Sequence, residues 1–207
     1  MNTILRLCLL FTSFSAVHSF FGLQLSSSSS SSLTNLSLST PATDNNMVVE
    51  EVKVGDTVPS ITLQEGLPEF GKKDVNISEL IAGKKAIIFG VPGAFTPGCS
   101  KSHVPSFIHA KEELKEKGID IIICIATNDL YVMKAWGEHS GGTDAGIVFL
   151  SDGSAELTQA LGLVMETPMM PRTKRFTLIA ENGIVTQYFS SAEESSNTWA
   201  PAVLAKL

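Results

Sequence analysis

Residues 86–126 read AIIFGVPGAFTPGCSKSHVPSFIHAKEELKEKGIDIIICIA, and this stretch decides the fold. Ala86 to Val91 is a continuous apolar, β-rich run, the pattern of a strand buried on both faces. Gly98 to Lys117 predicts a helix. Val104, Phe107, Ile108 and Leu114 share one face, and Lys115 and Lys117 occupy the last turn before Gly118. Pro105 falls inside that pattern, so a kink is expected, because its ring removes one hydrogen bond and crowds the preceding turn. Ile119 to Ala126 is a second buried strand. Strand, helix and strand make a βαβ unit, with the two strands parallel and the crossover right-handed.

Working outward, Ile61-Thr62-Leu63 reads as a strand, and Gly66 to Val75 as turns. Ser78-Glu79-Leu80 reads as one helical turn ended at Gly83. Downstream, Asn128-Asp129 caps a second helix through Val132, Met133 and Trp136. Ile147 to Leu150 is a third strand, and Ser154 to Leu161 a third helix. Phe176 to Ala180 and Ile184 to Phe189 are strands joined through Asn182-Gly183, a strong hairpin signal. A short helix closes the chain. The fold class is α/β, with a mixed central sheet flanked by helices.

The chain has 207 residues and a formal net charge of −6. The first 46 residues carry only two charges, Arg6 and Asp44, which sets them apart from a folded surface. Residues 1–19 read as a signal peptide: Arg6 supplies the positive end, Leu7 to Val17 the apolar stretch, and Ala16 to Ser19 the small residues of a cleavage site. Residues 20–46 form a Ser-rich, transit-like segment, with an unbroken serine run from Ser26 to Ser32. The order resembles the bipartite leaders of algae with secondary plastids, with Phe20 as the aromatic after the cleavage site. The expected address is a plastid, and secretion with a serine-rich linker is the alternative. Residues 47–207 suit one domain. Its acidic balance and lack of a basic stripe argue against a nucleic-acid partner. No segment there has the length of a membrane span, so no membrane association is expected of the mature form.

The cysteines are Cys8, Cys99 and Cys124. Two in the domain are too few for a disulfide scaffold, and no C-x-x-C occurs. His103, His109 and His139 do not supply zinc spacing, so no metal is expected. Cys124, within Ile121 to Ile125, reads as a core residue. Cys99 differs, because it stands where a loop enters a helix, and a helix N-terminus favours a thiolate. Thr96 precedes it by three residues, and its hydroxyl can hold a bound oxygen beside the sulfur. Pro92 and Pro97 stiffen the loop. His103, one turn on, is either near the sulfur or a packed helical histidine. Phe95 and Phe176 are candidates for a dimer interface or for the core. His109 and His139 are expected to face solvent, and Met169 and Met170 to line a surface or pack their loop.

Pro92-x-x-x-Thr96-x-x-Cys99 matches the peroxiredoxin signature, and the longer string from Val91 to Phe107 closely resembles the type II, peroxiredoxin-5-like branch. Asn128-Asp129 through Trp136 and Lys174-Arg175-Phe176 resemble the same branch. The resemblance covers residues 48–207. It implies a thioredoxin-like fold and a thiol peroxidase that needs no cofactor. Its substrates would be hydrogen peroxide and alkyl hydroperoxides. It makes Cys99 the peroxidatic cysteine, Thr96 and Arg175 its transition-state support, and Pro92 the shaper of the loop. Arg172 is the neighbouring candidate, or a surface charge. The implied reductant is glutaredoxin with glutathione, or thioredoxin. A homodimer or a monomer–dimer equilibrium is implied as well.

Cys124 has the spacing of the resolving cysteine in plant-type members. A helix from Cys99 to Lys117 rises about 27 Å, and the strand back to Cys124 returns about 17 Å. That leaves roughly 10 Å, beyond the ~7 Å limit between Cα atoms of a disulfide. Pairing would need the first turn to unwind; direct glutathionylation of Cys99 is the rival. A peroxide sensor or a disulfide oxidoreductase are the other functional classes, the second disfavoured by the missing C-x-x-C.

Overall fold

The structure is a computed structural model and describes residues 49–207; both leader segments expected from the sequence lie outside the described residues. The elements in chain order are β1 (Thr62–Gly66), β2 (Lys72–Asn76), α1 (Ile77–Leu80), β3 (Lys85–Gly90), a π turn (Cys99–His103), α2 (Val104–Glu116), β4 (Ile121–Ala126) and α3 (Leu130–His139). There follow β5 (Ile147–Ser151), α4 (Glu156–Ala160), β6 (Val164–Met165), β7 (Arg172–Thr173), β8 (Phe176–Glu181), β9 (Ile184–Ser190) and α5 (Ala200–Leu204).

Seven strands form one sheet in the order β2-β1-β5-β4-β3-β8-β9. The expected βαβ unit is present: β3 and β4 are parallel, with Phe89 opposite Cys124. The β4–β5 pair is also parallel, while β8 runs antiparallel to β3 and to β9. The sheet is therefore mixed and the class α/β, as the sequence predicts.

Strand alternation sorts the core into two layers. Ile87, Phe89, Ile122 and Cys124 face one layer, where Phe107 of α2, Trp136 of α3 and Val203 of α5 pack. Ile88, Ile123 and Ile125 face the other, with Ile77 of α1 and Leu157 of α4. Gly90 closes β3 where nothing larger fits, since a Cβ there would lie 2.1 Å from the Phe176 ring. The Asn182-Gly183 turn takes φ of 48° and 81°, the left-handed pair that a tight hairpin requires.

Three local expectations change. Lys72–Asn76 is a strand rather than a turn. It is an edge strand with Val75 as its one buried residue, so it carries no apolar pattern to read. The long helix is not a regular α-helix from its start, the irregularity lying just ahead of Pro105. A π turn spans Cys99–His103, closed by Val104 N–H to Cys99 O, and Pro105 becomes the second residue of α2. The wider turn falls where Pro105 has no N–H to give to the carbonyls of that turn. The helix read from Ser154 begins only at Glu156, because Ala155 is left-handed at φ 58° and the buried Asp152 carboxylate accepts the N–H groups of Leu157 and Thr158. The two-residue strands β6 and β7 have no sequence signal, being too short for any period.

Candidate active site

The loop leaving β3 is pinned from three directions. Pro92 O accepts from Arg172 Nη1 at 2.8 Å. Gly93 O accepts from Thr96 Oγ1 at 2.8 Å. Ala94 N–H donates to Asn128 Oδ1 at 2.9 Å. Phe95, at φ 60°, takes the left-handed conformation that a side chain disfavours. The turn that follows opens with Ser100 N–H on Thr96 O at 2.9 Å. Cys99 N–H thus belongs to the first amides of a helix, which lack a carbonyl below them.

Cys99 is fully buried. Arg175, just ahead of β8, points its Nη2 at Cys99 Sγ across 3.2 Å. The guanidinium head passes close over Gly98, where a Cβ would lie 3.3 Å from Nη2. Its other nitrogen, Nη1, lies 2.9 Å from His103 Nδ1. His103 is buried in turn, with Nε2 3.0 Å from Thr198 O. Burial, then the Arg175 charge, push the imidazole down to about 3, so it is neutral at physiological pH. A cleft of about 420 Å³ lies beside Pro92, Arg175, Lys174 and Tyr188.

Chemically, this is an enclosed thiol at a helix start with a fixed cation on its sulfur. Both features can stabilise negative charge that builds on an atom bonded to the sulfur. Thr96 Oγ1 spends its proton on Gly93 O, which leaves its lone pairs as acceptors. Pro92 carries the carbonyl that ties the loop to Arg172.

Cys124 sits on β4 in the same core layer as Cys99, and both thiols are free. Burial, reinforced by Cys99, pushes the Cys124 thiol well up against the opposing pull of Arg175. Arg172 does not reach the sulfur; it holds the loop. Asn128 also holds the loop, and Asp129 alone caps α3, accepting from Tyr131 and Val132 N–H. Ser100 is anchored by Trp136 Nε1 at 2.9 Å. Apart from the local Asp129 cap, these supporting contacts escape the sequence because each joins residues far apart in the chain. Of the aromatic candidates, Phe176 is core, while Phe95 is half exposed with its ring near His139. Met169 is almost fully exposed, and His109 and His139 face solvent.

The Redoxin family profile matches residues 53–203. Over 144 residues the chain is 46% identical to peroxiredoxin-2E-2, chloroplastic, of Oryza sativa subsp. japonica, covering 67% of this chain and 64% of that protein. It is 46% identical to peroxiredoxin-2D of Arabidopsis thaliana over 65% of this chain and 85% of that one. The matched region therefore spans somewhat under two thirds of the first of these relatives. Among solved structures, reduced Prx3 of Vibrio vulnificus in complex with H2O2 superposes with a TM-score of 0.69 at 41% identity, covering 75% of this chain and 98% of that one. Peroxiredoxin 5 of Alvinella pompejana gives a TM-score of 0.66 at 29% identity, covering 74% and 96%. The mixed sheet is accordingly the thioredoxin-like fold, and the chain belongs to the redoxin family as a type II peroxiredoxin.

Proposed function

We propose that this protein is a thiol-dependent peroxidase that reduces hydrogen peroxide and organic hydroperoxides in antioxidant defence, with Cys99 as the peroxidatic cysteine. The observation that carries the reading is the 3.2 Å contact of Arg175 Nη2 on the sulfur of a buried thiol at a helix start. The Cys99 thiolate attacks one peroxide oxygen. The O–O bond breaks, and its electron pair leaves with the second oxygen as hydroxide or alkoxide, which takes a proton from water. Sulfur is oxidised by two electrons to the sulfenic acid. Arg175 and the Cys99 N–H face the charge that builds on the departing oxygen, and Thr96 orients the peroxide by accepting a hydrogen bond from its O–H. Pro92 keeps the loop in register.

A first external thiol then condenses with the sulfenic acid, releasing water, and a second thiol frees Cys99. Glutaredoxin with glutathione is the proposed donor, and thioredoxin the competing one. Cys124 is the proposed resolving cysteine in a route that requires the π turn to open, because its thiol is buried and held up at rest. The exposed Phe95 makes a homodimer, or a monomer–dimer equilibrium, part of the proposal. The proposed address is a plastid, reached through a secondary-plastid type leader over residues 1–46. The chloroplastic relatives support the address. A fluorescent fusion of residues 1–46 that enters the secretory pathway and stays out of plastids refutes it.

Stopped-flow peroxide consumption tests the activity. One equivalent should be consumed per Cys99 without added reductant, and none in Cys99→Ser. A Cys99→Ser variant that still consumes peroxide overturns the reading. Mass spectrometry after peroxide treatment separates the routes: Cys124→Ser should lose an intramolecular disulfide, and a glutathione adduct on Cys99 with unchanged turnover makes Cys124 a core residue only.

A further inference from the structure

His103 is enclosed by the rings of Phe89 and Phe107 and by Arg175. Both ring nitrogens are engaged, and the chemistry of their partners fixes the tautomer. A guanidinium only donates, so Nδ1 must offer its lone pair to Arg175 Nη1 at 2.9 Å. A carbonyl only accepts, so Nε2 must carry the proton given to Thr198 O at 3.0 Å. One neutral tautomer satisfies both contacts.

The far anchor is itself held. Thr198 O also accepts from Thr177 Oγ1 at 2.7 Å. Ser106 Oγ donates to His103 O at 2.7 Å and accepts from Ala200 N–H at 3.1 Å. The C-terminal segment and β8 therefore brace the imidazole from behind. We propose, resting on the reading of Cys99 as the peroxide-reducing cysteine, that His103 is a positioning residue whose Nδ1 lone pair holds Nη1 so that Nη2 of Arg175 faces Cys99 Sγ.

A direct role on the sulfur is closed to this histidine, since it has no nitrogen left to offer. Without the acceptor, Nη1 would be a partly buried donor with no partner, and the guanidinium could turn away from the sulfur. Arg175 is the charged group facing the ring, with the Cys99 thiol beyond it; Phe89 and Phe107 carry no charge. The depression of the imidazole to about 3 agrees with a ring kept neutral.

The test compares two amides of similar polarity in the full protein. His103→Asn places its oxygen where Nδ1 stands, while His103→Gln places its amide near Nε2 and leaves Nη1 without its acceptor. The peroxide rate of His103→Gln should fall about ten- to a hundredfold, short of the ~10²–10³ lost with a whole stabilising donor. His103→Asn should recover most of that loss. Equal rates in the two variants overturn the proposal. In the unsubstituted protein, ¹⁵N spectroscopy should find Nε2 protonated and Nδ1 bare, unchanged through the range about the ordinary imidazole value. An Nδ1–H tautomer, or a titration in that range, overturns it without need of any variant. A parent protein that consumes no peroxide overturns the peroxidase reading instead, while the spectroscopic result still decides the tautomer.

Discussion

Replacing Arg175 by methionine tests the site most sharply, because it removes two contacts with separable consequences. The methionine keeps an unbranched stem and removes every donor. The first loss is the Nη2 contact at 3.2 Å on Cys99 Sγ. A donor aimed at developing charge in an enclosed site contributes ~10²–10³ in rate, so peroxide consumption should fall by about that factor. The second loss is the donor to His103 Nδ1 at 2.9 Å. That nitrogen is buried and keeps no other partner, and an orphaned acceptor costs about 1–3 kcal/mol. Taking ~2 kcal/mol in a domain of this size, Tm should drop by about 4–8 °C. Removing the guanidinium charge also relieves one of the two effects that depress the imidazole, so His103 should titrate above about 3 while burial still holds it below 6.5. Stopped-flow kinetics and thermal unfolding on the same preparation measure both effects. A variant that unfolds at the parent's temperature and consumes peroxide at the parent's rate refutes the reasoning; a loss of stability alone would leave the Arg175 contact on sulfur without a catalytic role.

Three further outcomes follow from other parts of the site. In Gly93→Ala the new Cβ would stand 2.4 Å from Arg172 Nη1, so the arginine must move and release Pro92 O. Gly93→Ala and Arg172→Ala should each cost about 1.5–3 kcal/mol, and denaturant unfolding of the double variant should show them non-additive because both remove one bond; full additivity is the contrary result. Thr96→Val keeps the shape but loses the hydroxyl that donates to Gly93 O, and should slow peroxide consumption more than Thr96→Ser, which retains it; equal rates remove Thr96 from the chemistry. His103 has a folded value of about 3 against an ordinary 6.5, so between these the unfolded chain binds the extra proton and stability falls as pH falls. The loss from pH 7 to 5 is about 2 kcal/mol from this residue, and urea titrations at both pH values should show it reduced in His103→Asn by that amount.

The βαβ unit was legible because strands buried on both faces announce themselves as unbroken apolar runs, as Ala86 to Val91 and Ile119 to Ala126 do. The Asn182-Gly183 turn and the Asp129 cap were legible for a similar reason: the causes are local, a left-handed pair and a carboxylate reaching N–H groups two and three residues on. Edge strand β2 was not legible, since its one buried residue leaves no period to detect. The π turn was not legible either: Pro105 announces an irregularity, but its form depends on how Cys99–His103 seats against Arg175 and Thr198, and no neighbour in sequence records that.

By itself, then, the sequence determined the layered α/β architecture and the loop that carries Thr96 and Cys99, both of which depend on residues close together in the chain. Only the tertiary structure decided what surrounds the sulfur. Arg175 reaches Cys99 across 76 residues, Arg172 reaches Pro92 across 80, and Thr198 O meets His103 across 95. Such contacts depend on the sheet that sets β3 beside β8 and on the C-terminal segment packed against α2 and β9. The same packing gave His103 its neutral tautomer, because the chemistry of a histidine follows from the partners its two nitrogens meet.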